Sequence, residues 1–338
     1  MSAQASTPGE DLRHLFYGFR VSQAIYAAAE LGIADLLAGG PQSADGLATA
    51  AGVHAPSLCR VLRLLVSEGV FAETNDGRFA LTPLAEPLRR DAPGSLYELV
   101  RFSAGETIWR SWGRLVHTVR TGEPAFDQVH GVDYFEYFRR HSGEWARFNQ
   151  FMTSLSGPTA RAVAAAYDFS PFKTIVDIGG GRGALAMGLL AAYPHLRGIV
   201  FDQPAVAAEA QQAIGAAGLA DRLVAIGGDF FAAVPEGGDA YLLKSILHAW
   251  DDERCVTILR ACRQVVPAGG RLLVIELLIP PGNAPSYAKS QDVTMLVLVG
   301  ARERTEAEYR ALYAAASFDL IRTIPTQGEL HVIEGIPV

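Results

Sequence analysis

Cysteine is scarce in this 338-residue chain, which has only Cys59, Cys255 and Cys262. Three scattered thiols cannot build a disulfide framework and lack the paired spacing of a zinc site. They fit a reduced, cytoplasmic setting. Long apolar runs are missing too. The best stretch, 175–193, is interrupted by Asp177, Arg182 and several glycines, so no membrane span is expected. The opening MSAQASTPGEDLR has neither a basic segment nor an apolar one, and no secretory leader is expected. Positive charge is in deficit, with 29 Lys+Arg against 36 Asp+Glu and a net charge of −7. Such a chain is a poor generic binder of polyanions, so nucleic acid would require a local basic patch. Repeats and low-complexity tracts are absent, and the 34 glycines follow no collagen period. What remains is 49% hydrophobic and 19% charged. That is a core-forming composition, long enough for two domains at roughly 100–200 residues each.

The first third reads as helices followed by a hairpin. Leu12, Leu15, Phe16, Phe19, Ile25, Ala29, Ile33, Leu36 and Leu37 recur at helical spacing over 11–40. Gly39-Gly40-Pro41 ends that run, and Ser43 can cap a short helix over 44–51. A longer helix over 58–68 carries Leu58, Val61, Leu62 and Leu65 on one face. Short strands at 70–72 and 78–81 flank Asn75-Asp76-Gly77, a hairpin signal. This is the order of a winged helix-turn-helix, which either reads DNA or packs against a partner. The helix over 58–68 offers only Arg60 and Arg63 to phosphates, and its neighbours hold more Ala and Leu than one small core needs. The reading adopted is a dimerising module, not a nucleic-acid reader.

Residues 83–170 read as mostly helical and aromatic-rich, including Trp145, Phe148 and Phe151. Ordinary helix packing explains most of these rings, while a subset could wall an aromatic pocket. From Thr174 the pattern alternates. Strands are expected at 174–178, 198–201, 222–226, 240–243 and 271–279, with helices at 183–193, 205–217, 251–265 and 305–316. An antiparallel pair at 318–324 and 330–335 closes the chain. Alternation of this kind gives an α/β fold, a mainly parallel sheet with helices on both faces.

The chemistry concentrates at the strand ends. Val176-Asp177-Ile178-Gly179-Gly180-Gly181-Arg182-Gly183 follows a strand and opens a helix, the context a nucleotide loop requires. Gly179-x-Gly181-x-x-Ala184 would also pass as a nicotinamide fingerprint. Against that reading, Asp177 suits a cationic amino group better than a pyrophosphate, and no second mononucleotide half follows. Asp202 ends the next strand, where a carboxylate can accept both ribose hydroxyls. Gly228, Asp229 and Phe230 end the third, where an acid could take an adenine amino group and a ring could cover the base. Singly, Asp202 could cap a helix and Phe230 could be core; together they favour an adenosine ligand. His248 lies just past the fourth strand, at the sheet edge where ligands bind. An imidazole, with a pKa near 6.5, can take a phenol proton near neutral pH.

These stretches resemble the class I methyltransferases that use S-adenosylmethionine (SAM). More narrowly, they resemble the caffeic acid O-methyltransferase type and its bacterial relatives in aromatic polyketide and antibiotic pathways. The carrying runs are VDIGGGRG at 176–183, FDQP at 201–204, GGDFF at 227–231, LLKSILHAWDDE at 242–253, VIELLIP at 274–280 and RERT at 302–305. The resemblance covers nearly the whole chain. It implies a Rossmann-like class I methyltransferase sheet with an N-terminal α-helical winged-helix dimerisation domain. The expected domains are 1–95 for dimerisation, 96–170 as a helical linker contributing to the substrate pocket, and 171–338 for SAM binding and catalysis. It implies a homodimer and, for His248, the role of general base, with Glu276 and Glu303 orienting it. Asp177, Gly179, Gly181, Asp202, Gly228, Asp229, Phe230 and Lys244 would hold the cofactor, leaving S-adenosylhomocysteine as product. Two departures stand out: Arg182 where plant members often have Thr, and Ala249 where an Asp commonly follows the His.

The reaction expected is metal-independent methylation of a phenolic hydroxyl on an aromatic small molecule of secondary metabolism. Phe148, Met152, Asp292 and Met295 would form its substrate walls, although each would serve equally as plain core. Methionine suits a flat ring because it is soft and adaptable. No motif with metal-ligand spacing occurs. The alternative within the same fold is a SAM-binding homologue that hydroxylates or decarboxylates. Such relatives often lack the His, so its presence here favours methyl transfer.

Overall fold

The computed structural model describes residues 7–338. The MSAQAS portion of the leader reading lies outside the described residues. The chain divides into two compact units, the second beginning at Ser111.

In the first unit, Thr7 and Glu10 form a reciprocal capping box that starts helix α1 (Pro8–Glu30). Helices α2 (Ile33–Leu37) and α3 (Ala44–Ala51) follow, and the Ser43 hydroxyl accepts the Gly46 N–H at 3.1 Å as the α3 cap. Helix α4 (Ala55–Ser67) begins earlier than the expected 58 because Pro56 is tolerated in a first turn. Strands β1 (Phe71–Glu73) and β2 (Phe79–Leu81) pair antiparallel, with Phe71 opposite Leu81. Leu47, Leu58, Leu62, Leu65, Phe71 and Phe79 form the buried core. Helix α1 buries Ala24 and Ala28 but leaves Leu12, Leu15, Phe16 and Phe19 largely exposed. Helices α5 (Tyr97–Ser103) and α6 (Glu106–Trp112) lead to the second unit.

That unit opens with α7 (Leu115–Thr121), α8 (Ala125–His130), α9 (Tyr134–Arg140) and the long α10 (Ser142–Ala166). Phe126, Tyr134 and Phe138 are buried against one another, which is core packing. The alternating part follows: β3 (Thr174–Ile178), α11 (Ala184–Ala192), β4 (Arg197–Asp202), α12 (Pro204–Ala216), β5 (Leu223–Gly227), β6 (Ala240–Lys244), α13 (Asp252–Val265), β7 (Arg271–Leu277), α14 (Tyr287–Leu298), α15 (Glu306–Ala315), β8 (Phe318–Pro325) and β9 (Leu330–Pro337). The sheet order is β5-β4-β3-β6-β7-β9-β8. Its first five strands are parallel, and β9 runs antiparallel between β7 and β8.

The near-continuous apolar runs of β3, β6 and β7 follow from burial on both faces. Val176, Leu243 and Val274 pack with α13 and α15 on one side. Ile175, Leu242 and Ile275 pack with α10 and α11 on the other. Strand order runs one way from β3 to β5 and the other way from β6 to β7, so the crevice of the topological switch lies at the carboxyl ends of β3 and β6. Helix α14 has no counterpart among the expected elements. It is half-buried along most of its length, which mixes polar and apolar residues and blurs its period.

Candidate active site

Each part of the crevice is carried by a strand end. Asp177 lies near the end of β3 and is buried, and its Oδ2 has no hydrogen-bond partner. Burial pushes its carboxyl up to about 7, against the pull of the nearby Lys244 ammonium. The loop that follows closes over it. Gly179 has φ +66°, and a Cβ there would overlap the Ile246 side chain. A Cβ on Gly180 would lie 2.8 Å from the Asp177 carboxyl and 2.9 Å from Val200. The Gly181 N–H donates to Asp202 Oδ2 at 2.8 Å, and the Gln203 N–H to Asp202 Oδ1 at 2.7 Å. Burial raises the Asp202 carboxyl, while these two N–H groups oppose the rise.

Further along, Gly228 donates its N–H to the Asp202 carbonyl at 2.9 Å. Asp229 is exposed, and its Oδ1 accepts the Phe231 N–H at 2.9 Å. Phe230 is half-buried, edge-on to Phe231 and near Gly179. Lys244 ends β6 and donates to the Ser156 hydroxyl on α10 at 3.1 Å. Burial lowers its ammonium, which Asp177 and Glu276 oppose.

The fit of a SAM-like ligand rests on two observations. A buried carboxylate with an unpartnered oxygen suits a cationic amino group, and an acid at the next strand end still has free lone pairs for ribose hydroxyls. Between them lies a loop whose side chains cannot be larger than hydrogen at Gly179 and Gly180. Asp177, Asp202 and the loop they enclose fit such a cofactor.

His248 sits in a 3₁₀ turn, Leu247–Ala249, after β6. Its Nδ1 lies 2.8 Å from Glu303 Oε1 and 3.6 Å from Glu276 Oε2. An ionised carboxylate only accepts, so Nδ1 carries the hydrogen and the neutral ring keeps its lone pair on Nε2. Burial pulls the imidazole down, but Glu276 and then Glu303 outweigh it and hold it at about 9. Glu276 lies in β7, and its Oε1 accepts the N–H groups of Ile246 and Leu247, each at 2.9 Å. Burial raises the Glu276 carboxyl, against the lowering influence of His248. Both carboxylates are buried, and Glu276 Oε2 and Glu303 Oε2 lack hydrogen-bond partners. The three side chains offer ligand atoms within 4.8 Å of one another. Of the two ring nitrogens of His248, Nδ1 is engaged by Glu303.

The four residues expected in the substrate walls have diverse surroundings. Asp292 Oδ1 accepts the Glu303 N–H at 2.9 Å, so this acid buttresses the residue whose carboxylate meets His248. Met295 lies one turn later on α14 and is half-buried. Phe148 stacks on Phe138 at 5.4 Å within the aromatic cluster of α8–α10. The carbonyl of half-buried Met152 accepts the Ser156 hydroxyl at 2.8 Å. Two polar partners escape the sequence reading. Ser156 carries no local signal, because its partner Lys244 comes from a distant strand. Arg304 could have been singled out as a cation inside RERT facing the acids of HAWDDE.

Comparison with known proteins agrees with this geometry. Residues 112–319 match the O-methyltransferase domain and residues 13–91 the O-methyltransferase dimerisation domain. The chain is 45% identical to phenazine O-methyltransferase PhzM of Lysobacter antibioticus over 97% of this chain and 96% of that protein. It is 40% identical to mitomycin biosynthesis 6-O-methyltransferase of Streptomyces lavendulae over 98% and 96%. The crystal structure of human N-acetylserotonin methyltransferase in complex with SAM superposes with TM-score 0.90 at 31% identity, covering 100% of this chain and 99% of that one. With both family domains matched in order and the crevice built as their chemistry requires, the chain belongs to the SAM-dependent O-methyltransferases that carry their own dimerisation domain.

Proposed function

We propose that this enzyme methylates a phenolic hydroxyl of an aromatic small molecule, with His248 as general base. The observation that carries this reading is the 2.8 Å bond from His248 Nδ1 to buried Glu303, which leaves Nε2 as the only basic position of the ring. The cofactor supplies, when bound, a methyl group on a sulfonium sulfur, open to in-line attack by a phenolate oxygen. Nε2 takes the phenol proton, and the resulting imidazolium sits between two carboxylates that stabilise its charge, the orienting role an acid plays in hydrolase triads. Glu276 adds a second function by tying down the backbone ahead of the ring. Asp177 and Lys244 flank the amino-acid end of the cofactor, and Asp202 takes its ribose. Gly179 and Gly181 keep the loop open to it, and Gly228, Asp229 and Phe230 stand at the base. Phe148, Met152 and Met295 line the acceptor. Phenazine and mitomycin methyltransferases among the relatives support an aromatic acceptor from secondary metabolism. The test is transfer of isotope-labelled methyl from SAM to a panel of phenols, read by mass spectrometry. Aerobic formation of hydroxylated products without label would contradict it.

Asp202→Ala is expected to weaken cofactor binding by about 10–100-fold with the fold intact, since hydrogen bonds to a charged acceptor contribute roughly 1.5–3 kcal/mol. Calorimetry with S-adenosylhomocysteine measures this, and unchanged affinity removes Asp202 from the site.

The dimerisation domain supports a homodimer, with the exposed Leu12, Leu15, Phe16 and Phe19 of α1 covered by a second copy. Wild type should sediment as a dimer at micromolar concentration, and a Leu15→Asp/Phe16→Asp double variant should dissociate. A monomeric wild type contradicts this assignment. Among the described residues, no helix is long and apolar enough to cross a membrane.

A further inference from the structure

The turn that carries His248 has hydrogen-bonding groups to satisfy on both edges. On one edge, Glu276 takes the N–H groups of Ile246 and Leu247. On the other, the Arg304 guanidinium donates to the Leu247 carbonyl at 3.0 Å and to the Trp250 carbonyl at 2.8 Å. The same guanidinium donates to Asp252 Oδ1 from Nε at 3.0 Å and from Nη2 at 2.8 Å. Arg304 is completely buried. Arginine is almost never buried unless paired, so these partners account for its position.

Two backbone features add to the clamp. Arg304 forms a parallel bridge with Leu278, and its carbonyl accepts the Ile279 N–H at 3.0 Å. The residue next to Glu303 is thereby stitched to the continuation of the strand that carries Glu276. Ser245, just ahead of the turn, has φ +55°, an uncommon conformation for a residue other than glycine. Such a conformation persists when its surroundings over-determine it. Asp252 opens α13 and is itself shared with Arg302, whose guanidinium lies 2.7 Å from Asp252 Oδ2.

We infer that Arg304 is a positioning residue for the base: through the Leu247 and Trp250 carbonyls and Asp252, it fixes the turn in which His248 meets Glu303. It touches neither acceptor nor cofactor in this role. The inference rests on the reading of His248 as general base, and it assigns the second arginine of the RERT run and the second acid of HAWDDE to one device.

The experiment compares Arg304→Gln, Arg304→Lys and Asp252→Asn with wild type and His248→Ala. S-adenosylhomocysteine calorimetry counts the folded sites in each preparation, so rates are expressed per binding site. Arg304→Gln should lose about 10–100-fold in kcat, the cost of misplacing a catalytic group by about an ångström. Its KM for SAM should stay near wild type, and the midpoint of its pH–kcat/KM profile should move from about 9 toward that of an ordinary imidazole. Arg304→Lys keeps the charge but lacks the planar fork, and should recover only part of the rate. Asp252→Asn keeps an amide oxygen that can still accept from Arg304, and should show a smaller loss with the same shift of the profile. It decides the matter if the Arg304 variants do not fold. Wild-type kcat and profile per binding site in the folded variants, with His248→Ala still impaired, would overturn the inference. An unimpaired His248→Ala would overturn the base itself, which is a separate result.

Discussion

Replacing His248 by Ala should lower kcat by about 10²–10⁴-fold, the usual contribution of a positioned general base. Affinity for S-adenosylhomocysteine should barely change, because Asp177, Asp202 and the glycine loop belong to other strand ends. Raising the pH should partly rescue the variant by ionising the phenol in solution. Glu276→Gln should cost less, since the amide oxygen can still accept the Ile246 and Leu247 N–H groups while the charge facing the imidazolium is lost. Steady-state kinetics and calorimetry on the three proteins check this set.

The second large effect is on pH dependence. Productive encounter needs a neutral His248 with a protonated phenol, or its proton-equivalent pair. The carboxylates hold the imidazole at about 9 despite its burial. With SAM saturating and a phenol of higher pKa, kcat/KM should climb about tenfold per pH unit below that value, or about a hundredfold from pH 6 to pH 8. An ordinary imidazole would level off near 6.5. The same shift has a consequence for stability. A group whose pKa is raised on folding contributes fully below its unfolded value near 6.5, and the contribution fades as pH rises through about 9. Denaturation midpoints of wild type should therefore fall over that window, and those of a His248→Gln variant should lack that component of the fall.

The strand-borne half of the site is legible in the sequence. Apolar runs buried on both faces fix β3, β6 and β7, so Asp177, Lys244 and Glu276 fall at predictable sheet positions. One cap is legible as well: the Ser43 hydroxyl accepts the Gly46 N–H, as its place ahead of α3 predicts. The winged-helix order and the closing antiparallel pair also follow from local signals. What the sequence does not show depends on tertiary partners. Helix α14 hides because it is half-buried all round. Asp292 is legible as a side chain near the site, but its bond to the Glu303 N–H is not, because that N–H becomes its neighbour only after folding. Arg304 reads as one more charge, and its significance lies in carbonyls some fifty residues earlier in the chain. The insertion of β9 between β7 and β8 is likewise a matter of sheet order, which no local pattern encodes.

The most direct test of His248 as base is single-turnover methylation at saturating SAM, comparing wild type with His248→Ala across pH 6–9. Single turnover isolates the proton-removal and transfer steps from product release. The account predicts a wild-type rate well above that of the variant at every pH, with both rates rising over this range, the wild type as His248 loses its proton and the variant as the solution ionises more of the phenol. A variant that matches wild type across the whole range would mean that alignment alone drives transfer, and would contradict the role given to His248.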